Sequence, residues 1–141
     1  MTLLRQLAWV GMLLITFPAL AEQKESLGDW DVHYMVVNTT FLTPEVASTY
    51  GIVRSKYNAL VNISVLDKAS HKAQRLSVSG EATNLLGNTR DLSFKKVEDG
   101  DAIYYLSVLP FRDQETFRFN IEIRKNNDSE TLRFKQQMYT D

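Results

Sequence analysis

The chain has 141 residues, with 16 Lys and Arg against 17 Asp and Glu, 44% hydrophobic residues, a formal net charge of −1 and no cysteine. A balance this close to neutral excludes the broad basic field that non-specific nucleic-acid binding requires. The lack of cysteine excludes disulfides, thiol catalysis, thiolate metal sites and a lipid-bearing Cys, so a single domain of this length must be held by packing and strand pairing alone.

The first predicted element is a leader. Arg5 precedes an apolar run at 7–17, then Pro18, then Ala19-Leu20-Ala21, which is a small-x-small cleavage pattern. The uncharged span is about 14 residues, below the roughly 20 that a membrane helix needs. Residues 1–21 are therefore expected to be a cleavable signal peptide, and 22–141 a single domain working in a bacterial periplasm, not membrane-anchored after cleavage. Loss of the leader removes Arg5, leaving 15 basic residues against 17 acidic. Retention as an amino-terminal anchor is the competing reading, disfavoured by the short apolar run. The polar 22–27 stretch that follows is expected to fray.

From Trp30 onward the sequence alternates with period two. The cleanest case sets Phe117, Phe119, Ile121 and Ile123 against Arg118, Asn120, Glu122 and Arg124, giving one core face and one wet face. The same reading predicts strands at 30–37, 59–66, 75–83, 91–97, 102–109 and 132–139, seven in all, joined by polar or Gly-containing turns. No helix-length connection separates the last six, which argues for antiparallel hairpins and against βαβ units. Between the first two strands, Thr43 can cap a helix at 44–50 that begins on Pro44, carries Glu45 in its electropositive first turn and stops at Gly51. The predicted fold is all-β: an immunoglobulin-like antiparallel β-sandwich of about seven strands, with one short helix between the first two. A small closed barrel is the alternative.

The block Phe41-Leu42-x-Pro44-Glu45-Val46-Ala47-x-x-Tyr50-Gly51, followed by Arg54-Ser55 and by Leu60-Val61-Asn62-Ile63-Ser64-Val65-Leu66, resembles the small exported gammaproteobacterial family known as domain of unknown function forty-four twenty-six. The resemblance spans essentially all of 22–141. It implies a periplasmic location and a β-rich domain, and brings no activity, substrate, cofactor or catalytic residue.

Chemistry-bearing residues are sparse. His33 and His71 are the two imidazoles in the chain; alternation turns His33 away from the Trp30, Val32 and Tyr34 face, and His71 falls in a polar turn. No nucleophile-elbow motif supports a hydrolytic triad. Glu98-Asp99-Gly100-Asp101 could offer oxygens to Ca²⁺, but Asp-Gly between alternating strands is first a hairpin signal. Adjacent Tyr104 and Tyr105 must face opposite sides, so at most one belongs to the core and the other stands exposed, for ordinary cross-strand packing or, as the competing reading, for stacking on a ligand.

The long 38–56 connection is the candidate binding surface, through Phe41, Pro44, Glu45, Tyr50, Arg54 and Lys56, because loops on a rigid scaffold commonly carry recognition. Its competing reading is a plug, with Phe41, Val46 and Tyr50 buried and Arg54 paired to Glu45. The expected function is a non-enzymatic binding or accessory module of the cell envelope, without cofactor or nucleic acid, whose partner is another envelope protein or an anionic envelope component. One alternative is an envelope enzyme using paired carboxylates such as Glu45, Asp99 or Asp101. Another is a structural subunit assembling by strand pairing, against which Arg133 and Lys135 on the last strand would protect.

Overall fold

Strict alternation gives each strand one apolar face, and two such faces must cover one another. The structure, a computed structural model that describes residues 22–140, does this with two antiparallel sheets; the expected leader lies outside the described residues. One sheet runs β1 (Gln23–Leu27), β2 (Trp30–Asn38), β3 (Asn58–Asp67), β7 (Ala102–Pro110) and β6 (Lys95–Asp99). The other runs β5 (Thr89–Ser93), β4 (Ser77–Asn84), β8 (Thr116–Lys125) and β9 (Asp128–Gln137). Helix α1 (Pro44–Thr49) follows a 3-10 turn at Thr39–Phe41.

The core lies between the sheets. Val32, Val61 and Ile63 on one side meet Phe117, Phe119, Ile121, Ile123 and Leu132 on the other, all essentially solvent-free. This is the face that alternation assigns inward, while Arg118, Asn120 and Arg124 are exposed. Close approach is enforced at Gly80, where a Cβ would stand 2.7 Å from the Asn120 carbonyl oxygen and 3.0 Å from Ile121.

Two expectations about strands are corrected, and among the described residues the count is nine rather than seven. Residues 23–27 do not fray but form β1, paired along its length with β2 from Gln23↔Tyr34 to Leu27↔Trp30. Backbone pairing needs no apolar side chains, and a polar edge strand protects the sheet. The predicted strand at 91–97 is two strands. β5 pairs with β4 in one sheet and β6 with β7 in the other, the chain changing sheets at Phe94.

Register sorts the connections into two ends. The pairs Asn58↔Pro110, Asn84↔Phe117 and Thr116↔Gln137 bring segments 39–57, 85–88, 111–115 and 138–140 together; this is the helix end. Turns 28–29, 100–101 and 126–127, with the 68–76 crossover, make the opposite, hairpin end. Across the helix end, the Phe111 N–H donates to the Tyr57 carbonyl and the Asn38 amide to the Tyr139 carbonyl, each at 2.8 Å.

Candidate functional site

The 39–57 connection is built locally as its residues dictate. Thr43 caps α1, its hydroxyl accepting from the Val46 N–H at 3.2 Å, with Pro44 at the first helical position and Glu45 in the first turn. Gly51 ends the helix with φ +68°, a conformation that suits glycine. Thr39, fully buried, clasps the far side: its hydroxyl donates to the Ser55 carbonyl and accepts from the Ser55 N–H, both at 2.9 Å. Ala47 is buried, as is Leu60, which alternation places on the outer face of β3.

The plug reading is corrected in two places. Phe41 is 62% exposed and Val46 is exposed too, so the buried residues of the connection are Thr39 and Ala47, not the aromatic. Arg54 does not pair with Glu45; its guanidinium donates to the Thr40 carbonyl at 3.1 Å, fastening the loop that carries Phe41. Pro44, Glu45 and Lys56 are exposed and Tyr50 is half-buried. The Lys56 ammonium sits 5.2 Å from the Tyr57 ring centre, in cation–π range.

What sequence reading missed is the rest of this end. The β4–β5 turn, Leu85 to Asn88, is locked by Asn84. Its side-chain carbonyl accepts from the N–H groups of Leu86 and Asn88 at 3.1 and 2.9 Å, and its backbone bonds to Asn88 and Gly87. A rigid turn therefore holds Leu86 87% exposed and Leu85 63% exposed. Glu115 ties this turn to the neighbouring one. One carboxylate oxygen accepts from the Asn84 amide and the other from the Arg112 N–H, both at 2.9 Å. Two consecutive leucines before Gly-Asn in a turn are the signal that could have revealed the feature, since turns are otherwise polar.

The outcome is a segregated surface. Among the described residues, the large exposed hydrophobic side chains are Phe41, Val46, Val53 and Tyr57 on the helix connection, with Leu85, Leu86, Val108 and Tyr139. Six stand on the connections of the helix end and Tyr139 on the segment after β9 beside them, and Val108 is two residues before the end of β7 there.

Other candidates fall elsewhere. Glu45 lies at the helix end whereas Asp99 and Asp101 flank the β6–β7 turn at the hairpin end, so Glu45 cannot share a cleft with either. Glu98 pairs with Arg75 at 2.6 Å. His33 lies on the outer face of β2 with its Nδ1 3.2 Å from a Glu22 carboxylate oxygen, and His71 occupies the 68–76 crossover at φ +61°. No group of three or more His, Asp and Glu is placed to hold a metal among the described residues. Tyr105 is the core member of its pair: its hydroxyl donates to the Gln74 carbonyl and accepts from the Leu76 N–H, both at 3.0 Å, and burial raises its phenol above the usual range. Tyr104 is half-buried on the outer face.

A family model described as domain of unknown function (DUF4426) matches residues 24–141. A solved structure of a DUF4426 family protein from Pseudomonas aeruginosa is 36% identical, with a TM-score of 0.75 over 85% of this chain and 96% of that one. FetP from uropathogenic Escherichia coli strain F11 superposes with a TM-score of 0.61 at 8% identity, covering 85% and 95% of the two chains. A copper-bound variant of FetP does so with 0.59 at 9%, covering 85% and 91%; at such identities the likeness is one of fold alone. No curated protein matches the sequence.

Proposed function

The chain belongs to the DUF4426 family, a domain of unknown function, and from that premise we propose that it is an exported, non-enzymatic binding or accessory module of the periplasm, built on an immunoglobulin-like sandwich. The observation that carries this reading is the gathering of exposed apolar side chains on the connections of one end. Scattered surface hydrophobics are ordinary; a set confined to one end and interleaved with charge marks an interaction surface. The leader pattern with Ala19-Leu20-Ala21 supports export. The partner is an envelope component that supplies apolar area to Phe41, Val53 and Tyr57 and anionic groups to Lys56.

In vivo crosslinking tests this. A photoreactive residue at Val53 should trap a specific partner, and one at Asn127, on the hairpin end, should not. Equal trapping from both positions, or from neither, removes the proposal. Arg54→Ala should loosen the Phe41 loop and weaken trapping while leaving the melting temperature nearly unchanged, because Arg54 is exposed and holds a single carbonyl.

A further inference from the structure

Between the Leu85–Asn88 turn and the 111–115 crossover lies a cleft of about 530 Å³, within the size range of ligand sites. Its floor and walls are cross-tied by Asn84 and Glu115, so its shape is set before anything binds. Gln114, on its rim, holds φ +66° and is kept there by a 3.0 Å bond from the Gln137 amide to its carbonyl. Such a conformation is unfavourable for a residue other than glycine and is retained where the surroundings demand it. Arg90 and Arg112 both line the cleft, together with the carboxylates of Asp113, which accepts from the Thr140 N–H at 2.9 Å, and of Glu115, whose two oxygens are taken by the Asn84 amide and the Arg112 backbone N–H. Among the described residues neither guanidinium has a carboxylate oxygen within 4 Å, although the chain as a whole is slightly acidic.

We propose that this cleft binds the free carboxyl terminus of a partner polypeptide. The two unpaired guanidiniums supply the planar, paired donors that a carboxylate accepts. The side chains of Asn88 and Gln114 line the same cleft and are free to bond a peptide backbone, while Leu85 and Leu86 offer apolar area to the last side chain. An alkyl amphiphile would need an enclosed apolar sleeve; here amides, hydroxyls and leucines line an open cleft together, which suits a peptide. The proposal rests on the helix end being the docking surface, and it assigns the chemistry recognised there.

The test uses the full mature chain. Fluorescent pentapeptides randomised over their last three positions are prepared as free acids and as carboxyl-terminal amides, selected on the protein, and the enriched sequences measured by anisotropy. Enriched acids should bind at least about tenfold more tightly than the same sequences as amides, the loss expected when charge-assisted hydrogen bonds are removed. Arg90→Gln and Arg112→Gln should each erase the preference for acid. Leu86→Ser should weaken acid and amide alike, and Lys68→Gln at the hairpin end should change nothing. All four positions are exposed, so melting curves should coincide with that of the parent.

Parity of acid and amide, failure of any acid to be enriched, or displacement by dodecanoate or inorganic phosphate as effective as by peptide would each overturn the proposal. Crosslinking from Val53 separates the two readings. A trapped partner together with acid–amide parity leaves docking standing and carboxylate recognition refuted. Acid-specific peptide binding without any trapped partner refutes the docking role instead.

Discussion

The two ends of this sandwich close the same two sheets with opposite chemistry. At the hairpin end, short turns are made of Gly, Asp and Asn, and Asp67 accepts from the N–H groups of Ser70 and Ala69 to fold the 68–76 crossover onto itself. At the helix end, longer segments bury Thr39 and Ala47 yet push Phe41, Val53 and Leu86 into water. Both ends carry backbone hydrogen bonds of their own, such as His71 N–H to the Asp67 carbonyl at one and Phe111 N–H to the Tyr57 carbonyl at the other, and neither set uses the exposed apolar side chains. Exposed apolar area is an added property of one end, which is why function is sought there.

Several substitutions break or sharpen this contrast. The largest effect belongs to neither end: Phe119→Ala, in the shared core, should cost about 3–5 kcal/mol, measured by denaturant unfolding. Next, Asn84→Ala should cost about 1–3 kcal/mol, because it frees two turn N–H groups and strips the Glu115 carboxylate of one partner. It should also abolish recognition at the cleft, whereas an equally costly lesion at the hairpin end should spare it. Leu85→Ser with Leu86→Ser should shift stability by under about 0.5 kcal/mol while reducing partner capture, the reverse of the Phe119 pattern.

The smallest effect is in acid. Hydrogen bonds from the Ser70 N–H and hydroxyl, with that from Ala69, hold the Asp67 carboxyl below the usual carboxylate range. A depressed value in the folded state means stability that is present above the unfolded value and lost as pH falls through the folded one. Melting temperature should therefore drop below about pH 4, and Asp67→Asn should flatten that drop without affecting binding at the opposite end.

The strands were legible wherever one face is buried, since period two leaves no choice of side: Phe117 to Ile123 and the Tyr104–Tyr105 pair fall as alternation requires. β1 escaped because Gln23, Lys24, Glu25 and Ser26 carry no alternation, and its pairing resides in the backbone. The change of sheet at Phe94 escaped because the chain keeps its direction through that residue; the slip of the apolar positions from Leu92 and Phe94 to Val97 is the signal that marks it. The helix cap and stop were readable because caps are local. The cleft was not readable, for Asn84 and Glu115 lie 31 residues apart and meet only through the β4–β8 register.

The chain's passage from β5 to β6 gives the sandwich the anatomy of a bound book. On one side the two sheets share a continuous covalent spine at Phe94, which is packed against the core. On the other side β1 and β9 are separate edges, and the covers are clasped by aromatic rings: Tyr34 stacks on Phe134 at 4.4 Å, and Phe134 on Phe119 at 4.5 Å. A spine cannot part without unfolding, but a clasp of stacked rings can. Opening of the domain is therefore expected to start at β1 and the Phe134 side, where one hydrogen bond from the Gln136 amide to the Val36 carbonyl joins the rings in spanning the sheets, and hydrogen exchange should lose protection there before it does beside Phe94.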